Sequence, residues 1–217
     1  MNSTQLIIAL TKGRILDEVL PLFEQANIVP TEDIAKSRKL IFDTNLANVK
    51  LMVIRGSDVP TYVEFGSADM GVVGKDLILE HGDEGFYEPL DLKIAKCRLM
   101  TAEPVDSDLP QGRLKVATKY TNIAKTYFAE QGKQIELIKL NGALELAPSM
   151  GLADAIVDIV DTGKTLEANG LEAKELIAHV SSRIIVNKAS MKIKNEIIRK
   201  ILGQLREAVE NKEQAAS

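Results

Sequence analysis

The sequence is poor in the residues that most often advertise chemistry. It has no tryptophan, one cysteine and two histidines, and only 4% of its 217 residues are aromatic. A single Cys97 excludes an internal disulfide and suits a reducing compartment. Its apolar-alternating surroundings read as a packed core thiol rather than a nucleophile. His81 and His179 show no metal-ligand spacing to each other or to a carboxylate pair, which argues against zinc. Long apolar runs are missing too. Residues 6–10 are apolar, but Lys12 and Arg14 follow at once, so this is neither a signal peptide nor a membrane span, and a cytoplasmic location without a membrane partner is expected. Nor is positive charge in excess. With 27 Lys and Arg against 31 Asp and Glu, the net charge of −4 does not suggest a nucleic-acid partner. A polyanionic ligand would have to be met by local groups of Lys and Arg.

What remains is 45% hydrophobic and 27% charged, the composition of a globular α/β chain long enough for one domain or two small ones. Its organising stretch is residues 151–170. Residues 155–160 form a β-branched, almost wholly apolar run, the pattern of a strand buried on both faces of a parallel sheet. The run stops at Asp161-Thr162-Gly163-Lys164-Thr165, a small hydroxyl-rich turn. Leu166-Glu167-Ala168-Asn169 then opens a helix that Gly170 ends. Several backbone N–H groups so gathered suit a phosphate. Gly163-Lys164-Thr165 resembles the end of a nucleotide P-loop, but Asp158 holds the leading glycine position. Gly74-Lys75 is followed by Asp76 and led by Asp69, so it fails as well. Asp158 and Asp161 fit another task, accepting from ribose hydroxyls while Thr162, Gly163, Lys164 and Thr165 hold a sugar phosphate. On this loop alone, a polar connection without a ligand is the plain alternative.

Taken in order, residues 5–10 read as a strand, Thr11-Lys12-Gly13-Arg14 as a loop, and 15–26 as a helix with Ile15, Leu16, Val19, Leu20, Phe23 and Ala26 on one face. Ser37-Arg38-Lys39 leads into Leu40-Ile41-Phe42. A strand at 49–54 runs into Arg55-Gly56-Ser57-Asp58, and Pro60 in the first turn begins a helix that Gly66 closes. A strand at 69–73 runs into Gly74-Lys75-Asp76. The second half repeats this design. Residues 114–117 end in Thr118-Lys119 as Ala9-Leu10 ends in Thr11-Lys12, and Gly66-Ser67-Ala68-Asp69 is matched by Gly151-Leu152-Ala153-Asp154. Two similar α/β lobes with mainly parallel sheets are implied. Lobe I is expected over residues 1–100 and 183–217, lobe II over 101–182, and 99–111, with Pro104, Pro110 and Gly112, reads as a hinge region. A single amphipathic helix is expected over 192–210. Loops at the carboxyl ends of the strands should face one cleft, with Lys12, Arg14, Arg38, Lys39 and Arg55 supplying most of its cations.

These residues together resemble the ATP phosphoribosyltransferase family. The stretches that carry the resemblance are Leu10-Thr11-Lys12-Gly13-Arg14-Ile15, Ser37-Arg38-Lys39-Leu40-Ile41-Phe42 and Ser57-Asp58-Val59-Pro60-Thr61-Tyr62-Val63. They continue with Ala68-Asp69-Met70-Gly71-Val72-Val73-Gly74, Leu144-Glu145-Leu146-Ala147-Pro148 and the run from Asp158 through Thr165 to Leu166. The resemblance covers nearly the whole chain in order. It implies a two-lobed fold like the type II periplasmic binding proteins, with the active site in the cleft. It further implies transfer of a phosphoribosyl group from phosphoribosyl pyrophosphate to N1 of ATP, the first step of histidine biosynthesis. Magnesium would ride on the substrate phosphates with few or no protein ligands. The chain is similar to the family's short form. That form implies a hetero-oligomer with a regulatory subunit similar to histidyl-tRNA synthetase, and a homodimer when alone.

Within the resemblance, Arg14, Arg38 and Lys39, with Lys12 behind them, are expected on pyrophosphate and triphosphate oxygens. Thr162, Gly163, Lys164 and Thr165 are expected on the 5-phosphate, Asp158 and Asp161 on the ribose hydroxyls, and Glu145 and the Asp58 loop beside adenine. Many relatives have Ser where Asp161 stands. A carboxylate beside a phosphate is repulsive, so Asp161 is expected to turn toward the hydroxyls or a cation. Two other readings stay open from sequence: a non-catalytic small-anion binding module of periplasmic-binding-protein type, and a phosphoribosyltransferase for a different base.

Overall fold

A computed structural model describes residues 5–82, 84–106, 110 and 112–215. The chain divides into two compact units. Unit 1 runs to Ile78, takes up Gly82–Ala95 and resumes from Ser181; unit 2 holds Leu79–His81 and Lys96–Val180.

Unit 1 is built on a six-stranded sheet made of β1 (Leu6–Thr11), β2 (Ile41–Asp43), β3 (Val49–Ile54), β4 (Met70–Gly74), β5 (Phe86–Asp91) and β11 (Ser182–Asn187), in the order β2-β3-β1-β4-β11-β5. Helices α1 (Arg14–Gln25), α2 (Val59–Glu64), α3 (Lys75–His81), α7 (Lys188–Ile193) and α8 (Asn195–Ala215) surround it. Strand alternation sorts the core. Ile8, Leu10, Val72, Ile184 and Val186 join Val19 and Phe23 of α1 and Ile201 and Leu205 of α8 in one cluster. Ala9, Val73 and Ile185 point the other way, into a cluster with Val59 and Val63 of α2.

Unit 2 carries a five-stranded sheet of β6 (Cys97–Pro104), β7 (Leu114–Thr118), β8 (Ile135–Lys139), β9 (Ala155–Val160) and β10 (Leu171–Val180), ordered β10-β6-β9-β7-β8. With it go α4 (Thr121–Glu130), α5 (Leu146–Ser149) and α6 (Lys164–Ala168). Ile156 and Val160 of β9 pack with Met100 and Ala102 of β6, Ala147 of α5 and Leu166 of α6.

Both sheets are mixed. Parallel pairing, expected to dominate, is confined to β3-β1-β4 and β9-β7-β8, and every flanking strand is antiparallel. Two local expectations are corrected. The stretch from Leu99 toward Pro104, read as a hinge region, is the interior of β6. Its Leu99, Met100, Thr101 and Ala102 are buried and hydrogen-bonded to β9 and β10 on either side. Residues 107–109 and 111 of that stretch lie outside the described residues. The single C-terminal helix is two helices. Asn187 caps α7 by accepting from Ala189 N and Ser190 N, and Lys194 leaves the helical conformation between α7 and α8. Its ammonium turns inward, to both carboxylate oxygens of Asp69 at 2.8 Å.

Candidate functional site

In unit 1 the first cationic loop is set by a weld at the end of β1. Thr11 Oγ1, buried, donates to Val72 O of β4 at 2.8 Å. Lys12 and Gly13 follow, and Gly13 has φ +91°, a backbone that L side chains rarely adopt. The chain can then turn at once into α1. Ser37, Arg38 and Lys39 arrive on a loop after a short 3₁₀ turn, Ile34–Lys36, whose Asp33 side chain accepts from Ala35 N. Ser37 Oγ accepts from Lys39 N at 3.2 Å and shapes the loop. The two loops meet. Lys12, Gly13, Arg38 and Lys39, with Ser37 and Asp17, line a cavity of about 510 Å³ floored by Leu16, Ile34 and Val53.

Arg14 is not among the residues lining that cavity. Its guanidinium lies back along α1, with Nε donating to Glu18 at 2.8 Å. Burial works against the charge of Glu18, but the Ala95 N–H and the Arg14 guanidinium more than offset it, and its carboxyl sits below the usual range. Lys39 Nζ meets Glu32 at 2.7 Å, and hydrogen bonding to that carboxylate raises the lysine above its ordinary value. Asp58, exposed, accepts from Ser57 Oγ at 3.0 Å just ahead of α2.

In unit 2 the buried β9 delivers Asp158 and then releases the chain into an exposed turn. Asp161, Thr162, Lys164 and Thr165 are all exposed, while Leu166 is buried and anchors the short α6. Gly163 has φ +83°, the left-handed conformation that lets the turn reverse before α6. Lys164 N approaches Thr162 Oγ1 at 3.5 Å, and Asn169 Nδ2 donates to Thr165 O at 2.8 Å, bracing the far side. Asp158 is half-buried, with Lys119 Nζ 3.7 Å from its Oδ1. Lys119 is absent from the candidate residues drawn from sequence. The signal that could have found it is the Thr-Lys repeat, in which it answers to Lys12. Glu145 is half-buried at the start of α5.

The structure therefore brings Lys12, Arg38 and Lys39 together in unit 1, and Asp158, Asp161 and Thr162, Gly163, Lys164 and Thr165 together in unit 2. Arg14 and Asp58 are not among the residues that line the unit 1 cavity. A sugar phosphate matches the second group chemically, since it needs hydrogen-bond donors for the phosphate and a carboxylate for the hydroxyls. Phosphate oxygens match the first.

The comparisons with known proteins agree on one family. A model of the ATP phosphoribosyltransferase family, HisG, matches residues 55–207. An ATP phosphoribosyltransferase of Saccharophagus degradans is 66% identical over 206 residues, covering 95% of this chain and 97% of its own. One from Pseudomonas aeruginosa is 60% identical over 205 residues, covering 94% and 97%. Among solved structures, the ATP phosphoribosyl transferase (HisG:HisZ) complex from Thermotoga maritima aligns with TM-score 0.85 at 31% identity, over 95% of this chain and all of its own. The periplasmic aliphatic sulphonate binding protein SsuA of Escherichia coli, at 16% identity and TM-score 0.59, covers 97% of this chain and 71% of its own and shares the fold alone. With the family pattern spanning most of the sequence and relatives matching nearly end to end, the chain belongs to the ATP phosphoribosyltransferase family.

Proposed function

We propose that this chain is the catalytic subunit that joins N1 of the adenine of ATP to C1 of phosphoribosyl pyrophosphate, the entry step of histidine biosynthesis. Near-full-length identity to enzymes of that name carries the activity. The division of labour among residues rests on the two clusters described above.

In the reaction a C1–N1 bond forms, the bond from C1 to the pyrophosphate oxygen breaks, and its electron pair leaves with pyrophosphate. Adenine N1 carries a free lone pair, so no strong base is required to activate it. The barrier lies in charge building on the leaving group and on the ribosyl carbon, which preorganised donors stabilise. Arg38, Lys39 and Lys12 take the phosphate oxygens, the guanidinium being able to do so bidentately. Arg14 joins them after exchanging Glu18 for a phosphate. Thr162, Gly163, Lys164 and Thr165 bind the 5-phosphate, and Asp158 and Asp161 bind the ribose hydroxyls. Asp58 and Glu145 orient adenine.

Among the described residues no group of three or more His, Cys, Asp or Glu side chains could hold a metal ion. No step here runs through a resident metal. Magnesium carried by the substrate phosphates remains compatible. Calorimetry tests this: magnesium should bind the protein only together with phosphoribosyl pyrophosphate.

The Thermotoga maritima structure is of a HisG:HisZ complex. By analogy this chain assembles with a regulatory subunit similar to histidyl-tRNA synthetase and forms a homodimer without it. Among the described residues no helix is long and apolar enough to cross a membrane, and we place the reaction in the cytoplasm. The deciding assay is incubation with ATP, phosphoribosyl pyrophosphate and magnesium. Release of pyrophosphate with a new N1-substituted purine nucleotide is expected. Turnover with orotate or nicotinate in place of ATP, or no turnover at all, would overturn the reading.

A further inference from the structure

The internal duplication can be followed atom by atom, and it singles out a residue that has no role so far. Thr118 Oγ1 donates to Val157 O of β9 at 2.7 Å, as Thr11 Oγ1 donates to Val72 O of β4. Both threonines are buried, so each passes a lysine out of the sheet on a fixed backbone. In unit 1 that lysine is Lys12, which lines the cationic cavity. In unit 2 it is Lys119, with Nζ 3.7 Å from Asp158 Oδ1 and 4.7 Å from the centroid of the Tyr120 ring.

The same alignment places Asp158, the residue after Val157, where unit 1 has Val73, the residue after Val72. Val73 is fully buried in its core cluster. Where no chemistry is needed, this scaffold fills the position with hydrocarbon. A half-buried carboxylate costs solvation, and a partly exposed ion pair at 3.7 Å returns little stability. Asp158 thus stands where the duplicated position of unit 1 holds hydrocarbon, with a lysine beside it, and a ligand carrying both hydroxyls and phosphate would use the two charges together.

Resting on the assignment of Asp158 to the ribose hydroxyls and of Thr162, Gly163, Lys164 and Thr165 to the 5-phosphate, we infer that Lys119 is a further binding residue for phosphoribosyl pyrophosphate. Its ammonium offsets Asp158 in the free protein. When the sugar hydroxyls take over Asp158, Lys119 turns to a phosphate oxygen of the same substrate. Lysine suits this exchange, being a compact charge with three donors on a flexible stem. The contact comes from β7, a different strand from the one that carries the phosphate turn.

The test uses the full chain with Lys119→Met, Lys119→Arg and, as a separate probe of the turn, Thr165→Ala. Binding of phosphoribosyl pyrophosphate with magnesium is measured by calorimetry, KM for ATP by initial rates, and melting temperature by scanning. Lys119→Met should weaken phosphoribosyl pyrophosphate about tenfold or more, ~1.4 kcal/mol. KM for ATP should stay within about twofold, the melting temperature should not change, and Lys119→Arg should recover part of the loss. The inference is overturned if Lys119→Met binds the sugar as the parent does. It is equally overturned if both substrates weaken alike together with a lower melting temperature, the mark of a structural pair. If Thr165→Ala binds normally while Lys119→Met does not, the turn assignment fails and Lys119 stands. If only Thr165→Ala weakens binding, the turn stands and Lys119 falls.

Discussion

Asp69 and Asp154 make the same two hydrogen bonds in the two units. Asp69 Oδ2 accepts from Ile7 N at 2.9 Å and its own N donates to Ile7 O at 2.8 Å; Asp154 Oδ2 accepts from Lys115 N at 2.8 Å and its N donates to Lys115 O at 2.8 Å. Each aspartate thus sets where a parallel strand begins beside its neighbour. Asp69 also accepts from Ser190 Oγ at 2.6 Å and meets the Lys194 ammonium; among the described residues Asp154 shows no such additional pair.

That difference predicts unequal costs. Asp154→Ala should lose about 1–3 kcal/mol, the penalty for stranding a backbone donor. Asp69→Ala should lose about 3–5 kcal/mol, because Lys194 is left with a poorly solvated charge. Urea unfolding of both variants checks this, and an inverted order would refute the account of Lys194.

Gly71 and Ile156 are equivalent in the duplication, yet they cannot be exchanged. A Cβ at Gly71 would meet Val59 Cγ1 at 2.6 Å and Val63 Cγ2 at 2.8 Å, since α2 lies directly on β4 there. Gly71→Ala should cost about 1–3 kcal/mol through overpacking. Chemical denaturation should register the loss, and unchanged stability would mean that α2 shifts freely.

Arg38 lines the cationic cavity, whereas Arg14 is held by Glu18. Arg38→Ala should lower kcat by on the order of 100-fold, the scale of one lost charge-stabilising donor. Arg14→Ala should lower it less. Single-turnover measurements at saturating substrates decide, and equal losses would mean that Arg14 leaves Glu18 fully on substrate binding.

Tyr127 gives a pH signature. Burial, then the 2.5 Å hydrogen bond to Glu175, pushes its phenol up from the ordinary 10.0 to about 12. Between those values the unfolded chain loses the proton while the folded one keeps it, so stability is full below pH 10.0 and drains away toward about 12. In Tyr127→Phe the fall of melting temperature across that window should be shallower. An identical slope would remove the Tyr127–Glu175 pair from alkaline unfolding.

What could be read from the letters followed the physics of burial. β1, β3, β4, β7 and β9 are apolar runs with turn residues at their ends, and the run-plus-turn pattern gave both β9 and the turn at Gly163 that follows it. Antiparallel flanks were harder. β10 alternates poorly because its register shifts twice, between Ala173 and Leu176 and again between Leu176 and Ala178. β5 carries Pro89, which an edge strand tolerates but a sequence pattern punishes. The helix break at Lys194 left no local trace; the contact made there is with Asp69, 125 positions earlier. In the candidate site, charge type was legible but pairing was not. The i,i+4 spacing puts Glu18 within reach of Arg14 once α1 begins at Arg14, but nothing in the order of residues says that Lys39 lies against Glu32.

The position of β11 bears on how a ribosome releases this protein. The six-stranded sheet of unit 1 needs Ser182–Asn187 between β4 and β5, so its first four strands emerge long before the piece that joins β5 to them. Unit 2 has all its strands once Val180 is made. During synthesis the later-starting unit can therefore close first. β2, β3, β1 and β4 can pair with one another earlier, but β4 and β5 stay unjoined until β11 is made, with edges prone to stray pairing.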